Sequence, residues 1–458
     1  MANVSKSAVR GKVSVIPTVR FEEQSLTSFA GLVVFQQLFA KLGLKQRLWR
    51  CFRHLATNTA YGPHVIMMML VVHLLLGYRE LRDSRYYRDD EMVKRLLGLK
   101  RLPEVATMSR ALARADERAL DNVRAEAREL VLGRLGALQL ARVTADFDGS
   151  VLSTGRRAEG TAVGFNKHKK GQRSYYPLFC TVAQTGQVLD VHHRPGNVHD
   201  SNGARAFIGH CLSALGNAAP SARLETRMDS AFFSEEIIEG LDAQGVEFTA
   251  SVPFERFTAL KAMVESRRRW RAIDERLSYF ECNWKPKSWG ARFRFVFIRK
   301  RVHRQHKGPL QLDLFVPREE GYEFKVIVTN KRLSARKLAA FHEGRGSQEA
   351  IFAELKTHCQ MGHVPVTTRV GNQLYMYSAI LAHNLTRELQ MLSSAPERAT
   401  TAKRAALWAF QQLDTLRRNI IQRAGRLVRP NGNLVLSMNA NPAVEGEMLH
   451  YLDALQSA

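Results

Sequence analysis

Between Arg142 and Val252 short apolar runs alternate with helix-patterned stretches, and this alternation constrains the fold more than any other feature. Val143–Asp148 reads as a strand. Tyr175–Val182 and Val188–His193 follow as two more, with Thr185-Gly186 as the turn between them. A helix is expected over Ser201–Leu215, a strand over Leu224–Asp229, a helix over Ser234–Gln244 and a strand over Phe248–Val252. Phe324–Thr329 (FKVIVT) is a further buried-looking strand that returns the chain to this body. Strands interleaved with helices predict an α/β fold.

The flanks have a different character. Residues 27–140 carry apolar residues at helical spacing. The run Val65–Tyr78 is 14 residues long, short of the roughly 18 needed to cross a bilayer. It reads as a buried core helix opened by Gly62-Pro63, with His73 as a packed core histidine. Glu91–Leu97 and Val105–Leu120 are helical in pattern, broken by Gly98 and Pro103. Arg110, Arg114 and Arg118 lie along the second. This arrangement suits a helix-turn-helix that reads DNA, and equally a plain helical hairpin.

Residues 255–325 differ again. Phe293–Ile298 and Gln311–Phe315 are β-rich, and Glu265–Lys307 holds 14 Lys and Arg against 4 Asp and Glu. Beyond Glu349, Leu374–Leu392 and Leu407–Leu427 read as helices.

The whole chain of 458 residues has 68 Lys and Arg against 43 Asp and Glu, a formal net charge of +25. Such an excess in a globular chain calls for an acidic partner, with nucleic acid the first candidate. The five cysteines are far apart and form no C-x-x-C pair, so neither a disulfide framework nor a thiolate zinc site is signalled. A reducing cytosol fits best. Residues 1–23 contain no apolar run and do not read as a signal peptide. No basic amphipathic terminal segment points to a membrane surface.

Three acidic residues stand out. Asp148 ends a strand before Gly149-Ser150, Asp229 ends another before Ser230, and Glu349 lies in a helix after Gly344-Arg345-Gly346. A carboxylate at a strand end projects at a sheet edge, where sites on α/β folds form. Three converging carboxylates would suit Mg²⁺ or Mn²⁺. Taken singly, an Asp at a strand end is more often a turn or cap residue than a ligand. At about 100° per residue, Arg345, Glu349, Lys356 and His342 share one helical face, with Glu349 about 40°, Lys356 about 20° and His342 about 60° from Arg345. An exposed face with an Arg345–Glu349 ion pair would look the same.

These words taken together resemble the DDE transposases of bacterial insertion sequences. DFDGS (Asp146–Ser150), YYPLF (Tyr175–Phe179), RPGNVHDSNGA (Arg194–Ala204), RMDSAFFS (Arg227–Ser234), VTN (Val328–Asn330) and GRGSQEAIFAELK (Gly344–Lys356) occur in the family's order. The spacing of Arg345, Glu349 and Lys356 is similar to the branch with a Tyr-Arg-Glu-Lys signature and a β-rich insertion. The signature's Tyr position falls on His342, with Phe341 beside it.

The resemblance implies an RNase H-like catalytic core interrupted by a β-rich insertion, with helical N-terminal and C-terminal regions. The expected segments are an N-terminal DNA-end-binding region (1–140), the first part of the core (141–254), a basic insertion (255–323), the second part with the Glu helix (324–393) and a helical C-terminal region (394–458). Asp148, Asp229 and Glu349 would be the catalytic acids and hold two Mg²⁺ or Mn²⁺ ions. Asp146 competes for the first place, since strand alternation puts it on the same face as Asp148; Ser150, two residues on, favours Asp148.

Arg345, Lys356, His342, Lys167, Lys169 and Lys170 would contact DNA phosphates. Trp284 and Trp289 are candidates for stacking on a flipped base, or else pack in the β-core. The implied activity is cleavage at the element's terminal inverted repeats and transfer of the freed 3′ hydroxyl to target DNA, by a homodimer acting in the cytoplasm. A catalytically silent DNA-binding descendant and a metal-dependent nuclease without strand transfer are the rival readings.

Overall fold

The computed structural model describes residues 16–55, 60–164, 166, 169–198, 202–302, 321–397 and 406–457. Its centre is a sheet that comprises, in chain order, β1 (Arg142–Gly149), β2 (Leu178–Val182), β3 (Gln187–His192), β4 (Arg223–Met228), β5 (Glu247–Val252), β6 (Arg271–Ala272), β7 (Leu277–Trp284), β8 (Phe293–Arg301) and β9 (Tyr322–Thr329). Their spatial order is β6-β7-β8-β9-β5-β4-β1-β2-β3. β1, β4 and β5 run parallel, whereas β2 and β3 are antiparallel to their neighbours.

The basic β-rich stretch prolongs this same sheet. β9 pairs antiparallel with β5, Val326 opposite Val252, and β8, β7 and β6 follow outward. Gln311–Phe315, expected as a strand, lies outside the described residues.

Side-chain alternation divides the sheet into two unlike faces. Val143, Ala145 and Phe147 of β1 join Met228, Phe248 and Ala250 in an apolar layer. The Ala204–Ala218 and Glu235–Ala243 helices cover it with Phe207, Ile208, Ile237 and Ile238. On the other face the central strands carry Thr144, Asp146, Glu225, Arg227 and Thr249, all buried. Buried polar groups need partners, and these supply each other's. Thr144 donates to Glu225 at 3.0 Å, Lys331 reaches Glu225 at 2.9 Å, and Arg142 joins both Glu225 and Glu247.

Five helices matter for the site: α1 (Pro63–Leu75), α2 (Glu117–Leu138), α3 (Ala335–Glu343), α4 (Ser347–Thr357) and α5 (Arg369–Ser393). The apolar run is α1, with Pro63 in its first turn, and His73 is fully buried with Nδ1 2.8 Å from the Tyr87 hydroxyl. α5 is buried for nearly its whole length and packs on α1, α2 and β3. Some of its polar residues fasten it to the sheet. Asn384 pairs both ways with the backbone of Val188, at 2.9 and 2.8 Å. Among the described residues no helix is long and apolar enough to cross a membrane.

The structure departs from the sequence pattern at three places. Val105–Leu120 is two helices, because Asp116 caps the start of α2 by accepting from Ala119 N–H at 2.8 Å. Tyr175–Val182 divides at Tyr176-Pro177, and Arg173–Tyr175 pairs with Leu152–Ser153 instead. Leu407–Leu427 is not a helix. It holds a short helical segment ending at Ile421 and then the strand Gly425–Val428, which pairs with Leu26–Thr27 and Val435–Met438.

Glu354, on the inner side of α4, ties that helix to α5. It meets Arg387 in an ion pair and accepts from Leu413 N–H at 3.0 Å, with His383 Nδ1 3.8 Å away. Burial pushes its carboxyl up, but His383 and Arg387 outweigh this and hold it at about 2. The folded value is depressed below the ordinary 4.5. Its stabilisation is therefore full above that value and is lost as pH falls toward 2. At about 1.4 kcal/mol per pH unit, Glu354→Gln should lower unfolding stability by about 3 kcal/mol at pH 7. Urea titrations at a series of pH values should show the gap closing below about pH 4.5.

Candidate active site

β1 and β4 are adjacent and parallel, with Phe147 opposite Met228. The next residue of each chain is an aspartate. Asp148 and Asp229 therefore leave the sheet side by side, on strands about 4.8 Å apart. Each is held by local backbone. Asp229 caps the turn Ser230–Phe232, Oδ1 accepting from Ala231 N–H at 2.9 Å. Asp148 Oδ1 accepts from Gly149 N–H at 2.8 Å, and its Oδ2 accepts from Arg345 Nη1 at 3.0 Å.

One pleat back, the same two strands carry Asp146 and Arg227, directly paired in register. They form a bidentate ion pair at 2.6 and 2.6 Å, each about 1% exposed. Arg227 also donates to Phe341 O at 3.2 Å and lies over the Phe341 ring. Gln348 donates to Asp146 O at 3.0 Å. Asp146 is thus consumed in the core, while Asp148 stands half-buried at the strand end. Arg227 could have been found in the sequence, since it precedes Asp229 by two residues and shares its face. Gln348 carries no such signal.

The Glu helix is not one straight rod. α3 ends at Glu343, a tight turn spans Gly344–Gly346, and α4 begins at Ser347. His342, in the last turn of α3, faces the sheet and not solvent. It is buried with Nε2 2.8 Å from Ser251 Oγ and Nδ1 3.0 Å from Thr249 Oγ1. Burial, then the charges of Lys325, Arg345 and Arg227, hold it well below the usual imidazole range. Neutral, enclosed and doubly bonded, it has no surface for the phosphate expected there. Arg345 stays at the site through Asp148. Lys356 is half-buried in the last turn of α4; burial lowers its ammonium, and the charge of nearby Asp148 opposes that. Glu349 is exposed in the first turn of α4.

Asp148, Asp229 and Glu349 offer only carboxylate oxygens, the donors that hard divalent cations prefer. Asp148 and Asp229 follow adjacent parallel strands, and Glu349 lies in the first turn of α4. Among the described residues no three His, Cys, Asp or Glu side chains stand close enough to hold a metal ion.

Lys169 and Lys170 are exposed, and Lys167 lies outside the described residues. The two tryptophans pack inward. Trp289 is buried and stacked on Phe233 at 4.8 Å, and Trp284 meets Phe295 edge-on at 5.0 Å.

Paired carboxylates at the ends of two parallel strands, beneath a helix bearing Arg and Lys, suit an enzyme that acts on phosphate esters. The family profile described as Transposase DDE domain group 1 matches residues 12–458, and the chain belongs to that family. It is a DNA transposase by membership, and the family generally uses divalent metal ions. A search of curated proteins gives no match. Among solved structures, a piggyBac transposase synaptic complex with hairpin DNA is similar at a TM-score of 0.43 and 10% identity, over 87% of this chain and 83% of that one.

Proposed function

We propose that this chain is the transposase of a bacterial insertion sequence, of the branch with a Tyr-Arg-Glu-Lys-type signature. In this reading it cuts DNA at the element's ends and joins the freed 3′ hydroxyl to a target. The observation that carries it is the placement of Asp148 and Asp229 side by side on parallel strands, with Arg345 already bound to one of them.

β1 to β5, in the order β3-β2-β1-β4-β5, would be an RNase H-like core. β6 to β8 would be its insertion, with β9 returning the chain to the core, the helices before Arg142 an end-binding region and the residues after 393 a C-terminal region. Asp148, Asp229 and Glu349 would hold two Mg²⁺ or Mn²⁺ ions. Bound there, such ions activate an attacking oxygen and stabilise the leaving one.

The chain's own groups do the rest. Arg345 reaches over Asp148 and can exchange one carboxylate oxygen for a phosphate oxygen. Lys356, kept partly desolvated, adds a second cation at the same place. Arg227 and Gln348 anchor the strand ends from beneath, so the acids are pre-positioned. Two copies working in the cytoplasm would bring both element ends together.

The test is strand transfer. A pre-cut duplex end with a 3′ hydroxyl, incubated with supercoiled plasmid, protein and Mg²⁺, should give joined products. Cutting without joining would make the protein a nuclease, and binding alone a silent descendant.

A further inference from the structure

A cleft of about 690 Å³ lies where the N-terminal helical region meets the core. Five separate stretches of chain wall it. Arg79 and Arg82 come from the segment after α1, Ser109 from the Val105–Arg114 helix, Thr154 and Arg156 from the loop after β1, and Lys169 from the following hairpin. Residues 362–365 close the far side.

Four basic side chains thus converge on one groove against a single carboxylate, Glu80, which pairs with Arg82 at 2.6 Å. Arg156 donates to Pro365 O at 2.8 Å. Among the described residues neither Arg79 nor Lys169 forms an ion pair. The one imidazole in the cleft, His363, is held down at about 4 by burial and then by Arg79. Unneutralised like charges gathered from distant parts of a chain destabilise it unless a polyanion relieves them. Hydroxyls and guanidinium groups spaced along a groove are the donors a phosphodiester chain accepts from.

We propose that this cleft binds a phosphodiester backbone and leads it to the acidic pair. The proposal rests on the transposase reading. Two walls of the cleft lie close in sequence to the site, Arg156 eight residues beyond Asp148 and Gly362 six beyond Lys356. A groove of this volume takes one strand's backbone, whether that strand is single or part of a duplex.

The test uses the full chain and labelled 30-mers, single-stranded and duplex, titrated from low to moderate salt. Two variants are compared with the wild type: Arg79→Ala/Arg156→Ala/Lys169→Ala, and Arg79→Glu/Lys169→Glu, which leaves the Arg156–Pro365 bond intact. A third, Arg292→Ala/Arg336→Ala/Lys337→Ala, removes three charges elsewhere, as many as the first. Unchanged thermal unfolding confirms that each is folded.

Both cleft variants should bind at least tenfold more weakly. For the Ala triple, the slope of log K against log salt should fall by about 0.9 per lost contact on duplex and about 0.7 on single strand. Loss on the single strand alone assigns the cleft to an unpaired strand, and loss on both to duplex backbone. Equal binding by wild type and cleft variants overturns the proposal. So does an equal loss in the distant variant, which makes the effect one of net charge. A wild type that binds neither DNA refutes the transposase reading and the cleft with it.

Discussion

Arg227→Met and Asp146→Leu should each cost about 3–5 kcal/mol of unfolding stability, whereas the double variant should recover most of that loss. Each single change strands a charge in the core. Arg227 cannot shed its proton, and without Asp146 its guanidinium keeps only the Phe341 carbonyl and ring. Asp146 without Arg227 has its two carboxylate oxygens unpaired at the centre of the sheet. Removing both replaces a buried ion pair by apolar volume, which is often neutral or stabilising. Urea unfolding of the wild type, both single variants and the double variant gives the coupling energy directly. Single variants that lose less than about 1 kcal/mol, in the range of exposed pairs, would contradict the burial on which this argument stands.

That pair also marks how far the sequence could be read. The strands of the main body are legible because alternation and β-branched runs coincide in them. Val143–Asp148 and Leu224–Asp229 match β1 and β4 within a residue or two. Their parallel adjacency, which brings the two aspartates together, is a matter of topology that no local pattern displays. The choice between Asp146 and Asp148 stayed open because both occupy one face. It needed the cross-strand partner, and that partner is Arg227, 81 residues away.

His342 illustrates the opposite failure. A helical wheel places His342 beside Arg345 and Glu349 but does not show what covers that residue, and in the fold Ser251 and Thr249 enclose the imidazole. The Leu407–Leu427 stretch misled for a related reason. Its apolar and basic residues recur at helical spacing, yet Gly425–Val428 is drawn into a sheet by Leu26–Thr27 from the other end of the chain. Trp284 and Trp289 resolve in favour of packing, since Phe233, Phe295 and Phe293 already surround them.

The second large effect concerns the acids themselves. Asp148→Asn, Asp229→Asn and Glu349→Gln keep the shape of each side chain and remove its negative charge. None is buried, so folding should be little affected. DNA affinity should hold or rise, because each change removes repulsion toward phosphate. Turnover is where the loss should appear, at roughly 10²–10³-fold or more, the range for deleting one preorganised electrostatic group. Glu349 is the most exposed of the three, and it sits on a helix and not at a strand end. Its substitution therefore asks whether α4 carries an acid into the site at all.

The most direct measurement follows cleavage of a labelled duplex carrying the element's own terminal sequence, in Mg²⁺, by the wild type and these three variants, with DNA binding recorded in parallel. Cutting by the wild type, none above background by the variants, and binding by all four are expected. Variants that cut as fast as the wild type would contradict the role given to these acids.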